Sequence, residues 1–309
     1  MKKAVLLAAL GVALLAATAT AGVKALSGTI TADGSSTVGP FTIAAAEGFQ
    51  KKNKNVRVTV GISGTGGGFE RFCRNETDLQ NASRPMKNSE AIKCRDAGVK
   101  WVAFTVANDG LSVVVNKSNT WADCLTTAEL KTIWNTGSKV DNWKDIRSSF
   151  PDVPLKLFGP GTDSGTFDFF TEVINGKAKA SRSDYLATED DNIIVQGVTG
   201  ERGGMGYFGY SYYEENASTL KVLKIDNGKG CVTPSIKSVQ GGTYKPLARP
   251  LFIYAKRTSF RRPEVASFIG YIFNNEKAIA KQSGFIALTD RQLKKARYQY
   301  KVALKTAFG

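Results

Sequence analysis

The residues with the clearest chemical potential lie in segment 159–170, Gly-Pro-Gly-Thr-Asp-Ser-Gly-Thr-Phe-Asp-Phe-Phe. Its glycines allow a sharp turn, Ser164 is a favoured residue at a helix N-cap, and phenylalanines then recur at helical spacing. The pattern predicts a helix that begins at Ser164 and ends at Asn175-Gly176. Because the first turn of a helix carries unpaired N–H groups and the positive end of the helix dipole, this segment is typical of an anion site.

The same construction occurs twice more in the chain. Residues 33–40 (Asp-Gly-Ser-Ser-Thr-Val-Gly-Pro) follow a strand-like run, and residues 61–68 (Gly-Ile-Ser-Gly-Thr-Gly-Gly-Gly) follow the alternating strand 56–60. Each segment offers Ser or Thr hydroxyls beside glycines. In open α/β sheets such strand-to-helix turns line the crevice in which ligands bind. Three of them predict a small oxyanion that is contacted from several sides.

The elements that must position these turns alternate between strands and helices, as in an α/β protein. Helices are predicted after the Thr126-Glu129 capping box and after Pro263. Residues 204–209 match Gly-x-Gly-x-x-Gly, but without the strand and helix of a dinucleotide fold, so we expect a tight turn there. Further strands are predicted at 101–105, 111–115, 155–158, 192–195, 220–225 and 250–255.

Residues 1–21 have the pattern of a cleavable signal peptide. Lys2 and Lys3 precede an apolar run that ends in Ala-Thr-Ala, so we expect a periplasmic or extracytoplasmic protein. Loss of the two lysines lowers the formal charge from +15 to +13. A protein this basic attracts anions, but the export signal and the lack of a nucleic-acid-binding motif argue against nucleic acid as its partner.

The composition also limits the enzymatic interpretations. The chain has no histidine, which removes Ser-His-Asp and Cys-His mechanisms, and no Gly-x-Ser-x-Gly motif surrounds Ser164. A Ser-Lys hydrolase, or a phosphate-ester hydrolase that uses Asp163, stays open as a lesser alternative. The chain has no histidine and the spacing of its four cysteines fits no zinc site, so we expect no metal. We also expect no cofactor and no catalytic residue.

Six motifs follow each other along the chain, at residues 34–37, 63–68, 81–85, 109–111, 161–166 and 206–210. They resemble, in the same order, those of the bacterial phosphate-binding proteins that serve high-affinity phosphate ABC transporters. The resemblance implies an α/β, two-lobed periplasmic binding protein of type II, with two chain crossovers and the ligand in the interlobe cleft. Lobe I would comprise residues 22–106 and 252–309, and lobe II residues 107–251. A monomer would capture inorganic phosphate and deliver it to a membrane-embedded ABC permease.

Four cysteines allow three disulfide pairings. With the lobes that the resemblance implies, Cys73–Cys94 and Cys124–Cys231 keep each disulfide within one lobe, and we expect these pairs. The resemblance also implies ligand contacts in the three turns, to which we add Ser36 for its hydroxyl. These contacts are Thr37, Val38, Thr65, Ser164, Gly165 and Thr166.

The chain departs from many members of the family at two charged positions. Arg84 stands where they carry the Asp that accepts the phosphate proton, and Pro160 stands where they carry an Arg. Because Pro160 supplies no charge, we expect Arg84 to grip the anion, the alternative being that Arg84 pairs with a carboxylate or a helix end. The proton acceptor is then expected to be Asp109, with Asp163 and Asp33 as alternatives.

The identity of that acceptor matters because sulfate, molybdate and arsenate are the competing ligands. Phosphate at neutral pH still carries a proton, whereas sulfate does not. A buried carboxylate can accept a hydrogen bond from phosphate and repel sulfate. Hydroxyl and N–H donors alone would bind both anions.

Overall fold

The structure is a computed structural model that describes residues 25–307, so the predicted signal peptide lies outside the described residues. One π-helical turn lies at Thr171–Asn175, and one 3₁₀ turn lies at Thr258–Arg261. The strands are β1 (Ser27–Gly34), β2 (Asn55–Val60), β3 (Leu79–Ala82), β4 (Trp101–Asn116), β5 (Cys124–Thr126), β6 (Lys156–Gly159), β7 (Leu186–Ala187), β8 (Gly204–Gly209), β9 (Leu220–Val222), β10 (Lys224–Asp226), β11 (Cys231–Val232) and β12 (Ala248–Lys256). The helices are α1 (Gly39–Lys52), α2 (Gly64–Cys73), α3 (Asn88–Asp96), α4 (Thr127–Trp134), α5 (Trp143–Ile146), α6 (Gly165–Phe170), α7 (Asp191–Gly200), α8 (Tyr210–Asn216), α9 (Ile236–Gln240), α10 (Pro263–Gln282) and α11 (Asp290–Thr306).

One sheet connects most of the strands. Its order is β2-β1-β3-β12-β4-β8-β6-β7, with β9 beside β4, and β11, β10 and β5 form a smaller sheet. Strand β1 pairs in parallel with both β2 and β3. The turns that follow these three strands therefore emerge at one edge of the sheet, where ligands bind in open α/β folds.

The apolar side chains are divided between two main cores. The first packs β1, α1 and the start of β4 against β12, α10 and α11, and we call the region around it lobe I. The second packs the end of β4, α4, β6 and β8 around Trp134, Trp143 and Tyr207, and we call this region lobe II. The α/β, two-lobed fold expected from the sequence is confirmed. The division of the chain after residues 106 and 251 stays a prediction; the cores change nearby, between Ala107 and Leu111 and between Leu247 and Leu251, with Ala107 and Leu251 in the first core.

Strands β4 and β12 pass through both lobes as an antiparallel pair. Phe252 lies opposite Thr105, Arg249 lies opposite Asp109, and an irregularity in the pairing falls between Leu251 and Phe252. The two predicted crossings are therefore side by side. A mismatch at one position of this pair changes which side chains face each other at the centre of the cleft.

Two of the predicted elements are wrong. Residues 192–195 form part of helix α7 instead of a strand, because the Asp190 side chain caps the helix and Ile194 and Val198 bury one helical face. Residues 204–209 form the buried strand β8 instead of a turn. A Cβ on Gly206 would lie 2.8 Å from the Phe158 carbonyl oxygen, so the glycines allow close packing and not a dinucleotide site.

The predicted disulfides are confirmed: Cys73 is bonded to Cys94, and Cys124 to Cys231. Each bridge lies within one lobe and leaves the β4–β12 crossing unlinked. Over residues 25–307, none of the helices combines the length and the apolar character needed to span a bilayer.

Candidate functional site

The two lobes touch where the first and third predicted turns meet. The Thr37 hydroxyl donates a hydrogen bond to the Gly165 carbonyl over 3.2 Å. A Cβ on residue 165 would lie 2.5 Å from both the backbone nitrogen and the Oγ1 of Thr37, so only glycine permits this approach. The cleft is therefore closed at this point.

A cavity of about 200 Å³ lies on one side of this contact, between all the loops that the sequence singled out in lobe I. Side chains of lobe II and of the crossover strand β12 complete its wall. Its lining is Ser35, Ser36, Thr37, Gly64, Thr65, Gly66, Ser83, Arg84, Lys87, Asp168, Phe169, Glu172, Ala178 and Arg249. We call it the central cavity.

Two helix N-termini face the central cavity without a side-chain cap. The N-cap residues of α1 and α2 are Val38 and Ser63, and neither side chain accepts a hydrogen bond from its helix. The hydroxyls of Thr65 and Ser83 lie 3.1 Å apart beside the second helix start. At α1, Val38 N and Gly39 N already donate to Ser35 Oγ and to the Ser35 carbonyl, and Pro40 has no N–H. Free N–H donors next to hydroxyls are therefore offered by the start of α2, where an anion could bind. Val38 is fully buried, its N–H donates to Ser35 Oγ over 3.4 Å, and it does not line the central cavity, so a contact between Val38 and a ligand stays a prediction.

Arg249 supplies the central cavity with a buried cation that the sequence analysis did not identify. Its side chain is 11% exposed, and its Nε donates to Asp109 Oδ2 over 3.1 Å. Its Nη2 donates to Thr37 Oγ1 over 2.8 Å, and its guanidinium carbon lies 3.6 Å from the centre of the Phe169 ring. The signal in the sequence was a single arginine close to the expected lobe boundary at residue 251, but its partner depends on the β4–β12 register.

Asp109, the expected proton acceptor, is committed to this ion pair. Burial raises the pKa of its carboxyl, and Arg249 opposes the shift. Asp33, one alternative, accepts hydrogen bonds from Gly34 N (2.6 Å), from Ser63 N (3.1 Å) and from Arg71. Both carboxylates are therefore occupied by protein donors.

Arg84 lines the central cavity, but its guanidinium is engaged by Glu90. Nη1 donates to Glu90 Oε2 over 2.9 Å and Nη2 donates to Oε1 over 2.8 Å. Burial alone would raise the pKa of Glu90, but the hydrogen bonds from Arg84 and from the Lys87 backbone lower it. This is the alternative geometry that the sequence left open, and a direct contact between Arg84 and a ligand stays a prediction.

The third turn behaves differently from the other two. Ser164 caps α6 as predicted, accepting hydrogen bonds from Thr166 N (3.1 Å) and Phe167 N (3.5 Å). Residues 163–166 line a second, larger cavity of about 740 Å³, which shares only Ser36 and Thr37 with the central one. Six carboxylates and two lysines, Lys277 and Lys281, line the larger cavity, and burial together with Asp190 raises the pKa of Asp191 there to about 6. Its acidic lining is Asp109, Asp163, Glu189, Asp191, Glu214 and Glu215.

These carboxylates make the larger cavity a poor place for an anion, so the central cavity is the better candidate. A third cavity of about 900 Å³ lies in lobe I between Arg95, Trp101 and Arg261, and none of the motif residues lines it. Within residues 25–307, no three His, Cys, Asp or Glu side chains are grouped in a way that could hold a metal ion.

Asp168, one turn into α6, is the remaining carboxylate of note. Its Oδ1 is buried and has no hydrogen-bond partner among the described residues, and the nearest cation is Lys179, whose Nζ lies 4.0 Å away. Burial raises the pKa of Asp168, against the effect of Lys179 and Arg249. The sequence analysis placed this residue in the key segment but gave it no role, because its helical phase relative to lobe I could not be known.

Comparisons with known proteins agree with this geometry. Residues 19–276 match the family model described as a PBP superfamily domain. Protein SphX from Synechococcus elongatus is 51% identical over 262 residues, which cover 84% of this chain and 77% of that protein. The phosphate-binding protein PstS from Staphylococcus saprophyticus is 40% identical over 265 residues, which cover 84% of this chain and 81% of that protein.

Solved structures give the same result. A possible phosphate-binding protein from Planctomyces limnophilus is 48% identical, with a TM-score of 0.87 over 90% of this chain and 99% of that one. An ABC-type phosphate transport receptor from Vibrio cholerae shares the fold at 21% identity, with a TM-score of 0.67 over 83% of this chain and 99% of that one. The chain therefore belongs to the PBP superfamily and, within it, to the family of PstS-type phosphate-binding proteins.

Proposed function

We propose that this protein captures inorganic phosphate in the central cavity and delivers it to an ABC permease outside the cytoplasm. The observation that carries the proposal is the meeting of the uncapped N-terminus of α2 with the buried guanidinium of Arg249 at one small cavity between the lobes. The PstS relative is a phosphate-binding protein, the structurally similar Vibrio cholerae protein is an ABC-type phosphate transport receptor, and the predicted signal peptide supports export.

The proposed contacts are hydrogen-bond donors arranged around a tetrahedral anion. Lobe I supplies backbone N–H groups and the hydroxyls of Ser36, Thr37, Thr65 and Ser83, which face the central cavity. Such donors replace the hydration that the anion loses when the cleft closes, and each is expected to contribute about 1–3 kcal/mol when its loss leaves a desolvated oxygen unpaired. Strong, directional donors to an anion are what both helix starts and arginine provide.

Lobe II contributes to the proposal through closure. Gly165 adjoins Thr37 at the lobe contact, but Ser164, Gly165 and Thr166 line the larger cavity, so their contact with a ligand in the central cavity remains a prediction. The Ser164 hydroxyl already accepts two N–H groups of α6, so its own O–H remains as the donor that it can offer. A binding role needs no catalytic base, and the chain lacks histidine.

The test is a titration of the mature protein, stripped of ligand by unfolding and refolding, with phosphate, arsenate and sulfate in a calorimeter. We expect one phosphate per chain, with binding detectable at micromolar concentration. Incubation with a chromogenic phosphate ester, compared with heat-killed protein, tests the hydrolase alternative. Absence of phosphate binding would remove the central claim, whereas stronger binding of sulfate would change the ligand and keep the site.

Delivery is tested separately. In a bacterium that lacks its own phosphate-binding receptor, secretion of this chain together with its native permease is expected to restore phosphate uptake. Omission of the permease is the control. Uptake that is independent of the permease would contradict the delivery role without affecting the binding role.

A further inference from the structure

Both arginines that line the central cavity are paired before any ligand arrives, whereas Lys87 and Glu172 in its lining are exposed. Arg249 is paired with Asp109, and Arg84 is paired with Glu90 through two hydrogen bonds. Each pair brings little net charge to the cavity. An incoming anion therefore meets neutralised arginines, and any unpaired charge nearby has a large influence on which anion is accepted.

Asp168 is such a charge. It extends from the first turn of α6 into the wall of the central cavity, whose lining also includes Thr65 and Ser83 of lobe I. The side chain as a whole is 34% exposed, but its Oδ1 is shielded from solvent without a hydrogen-bond donor among residues 25–307, and Lys179 approaches only to 4.0 Å. A buried carboxylate oxygen without a donor is costly, and a ligand that brings a donor lowers the cost.

Hydrogen phosphate brings that donor and sulfate does not. An ionised carboxylate can only accept hydrogen bonds, so it binds the O–H of hydrogen phosphate and repels an anion that has no proton. We propose, on the basis of the phosphate-binding function above, that Asp168 accepts the phosphate proton and thereby determines the preference for phosphate over sulfate. The acceptor of the phosphate proton then lies in lobe II. In many members of the family it lies in lobe I, at the position that Arg84 occupies here.

This location has a consequence for the order of events. The donors of lobe I can hold either anion while the cleft is open, because hydroxyl and N–H groups do not distinguish them. Closure brings Asp168 to the anion, so discrimination occurs when the cleft closes. Sulfate is therefore expected to be rejected by failure to close and not by failure to reach lobe I.

The other carboxylates near the cavity fit this role less well. Asp109 and Asp33 already accept hydrogen bonds from arginines and backbone groups. Asp163 is exposed and lines the larger cavity only. Glu172 also lines the central cavity, but it is exposed, and water solvates its carboxylate.

The experiment compares Asp168→Asn with Asp163→Asn, a change of the same chemistry near the start of the same helix. Each protein is titrated with phosphate and with sulfate at neutral pH. We expect Asp168→Asn to bind phosphate about 10- to 100-fold more weakly, because one buried charge-assisted hydrogen bond is lost, and to gain measurable sulfate binding. Asp163→Asn is expected to match the parent with both anions.

The outcomes separate the two proposals. If the parent protein binds no phosphate, the proposed function fails and this assignment fails with it. If the parent prefers phosphate and Asp168→Asn keeps the same ratio of phosphate to sulfate affinity, the assignment to Asp168 is overturned and phosphate capture stands. Asp168→Ala serves as the second variant, and circular dichroism checks folding. A folding defect would weaken both anions together, whereas loss of the acceptor changes their ratio.

Discussion

Replacing Arg249 by methionine is expected to destabilise the protein and to abolish phosphate binding, two effects that a second substitution can separate. The Arg249 and Asp109 side chains are 11% and 6% exposed, so the variant leaves a carboxylate buried without its cation. Removal of one member of a buried ion pair costs about 3–5 kcal/mol. The contact with the Phe169 ring, 3.6 Å from the guanidinium, contributes up to about 2 kcal/mol, and the two figures overlap because one side chain makes both contacts.

The double variant Arg249→Met/Asp109→Leu removes the whole pair and leaves apolar side chains of similar size. Replacement of a buried pair in this way is often neutral or stabilising, so most of the lost stability is expected to return. Phosphate binding is not expected to return, because the guanidinium is still missing from the central cavity. Urea unfolding followed by circular dichroism measures the first effect, and calorimetry with phosphate measures the second.

Arg182→Met is the matched control for a buried arginine far from the cleft motifs. Arg182 is paired with Asp184 and donates to the carbonyls of Ile133 (3.0 Å) and Val140 (2.7 Å) in lobe II. This variant is expected to lose stability and to keep phosphate affinity. Parent-like phosphate affinity in the Arg249→Met/Asp109→Leu protein would refute Arg249 as a ligand contact, and an undiminished stability of Arg249→Met would refute the energetic role of the pair.

Two further predictions concern closure and pH. Gly165→Ala places a methyl group 2.5 Å from the backbone nitrogen of Thr37, so the closed cleft is expected to open and phosphate affinity to fall about 10- to 100-fold. Small-angle scattering measures the opening, and calorimetry measures the affinity. An unchanged affinity would contradict the tight lobe contact. Burial raises the pKa of Glu276 to about 7, from an ordinary value of 4.5, so the folded state holds a proton that the unfolded state releases. Stability is therefore expected to fall by up to about 3 kcal/mol as pH rises from about 4.5 to 7. Glu276→Gln, which can still accept the Leu288 N–H, should flatten this dependence in urea unfolding at pH 5 and pH 8, and a persistent slope would assign it to another group.

The local parts of the site could be predicted from the sequence, because strand, turn and helix follow each other within a few residues. The turns at 33–40, 61–68 and 159–170 all lie in the cleft, and the Ser164 cap is confirmed. The misassigned run 192–195 had β-branched residues, which favour a strand. The cap at Asp190 and the spacing of Ile194 and Val198 were the helical signals that should have prevailed.

The charges of the site could not be predicted in the same way, because their partners are distant in sequence. Asp109 and Arg249 are 140 residues apart, and they meet only because β4 and β12 pair in one register. Arg84 is the instructive intermediate case. Glu90 lies only six residues away and caps α3 by accepting the Lys87 N–H over 2.8 Å, so the capping pattern placed a carboxylate beside Arg84.

Thr37 connects these observations, since three parts of the molecule meet at its hydroxyl. It lies just before α1 in lobe I, accepts a hydrogen bond from Arg249 on the crossover strand, and donates one to Gly165 in lobe II. A ligand that draws Arg249 or the Thr37 hydroxyl toward itself must therefore alter the contact between the lobes. Binding and closure are coupled through this one side chain, because one hydroxyl has a single proton to donate and cannot serve the ligand and Gly165 at the same time.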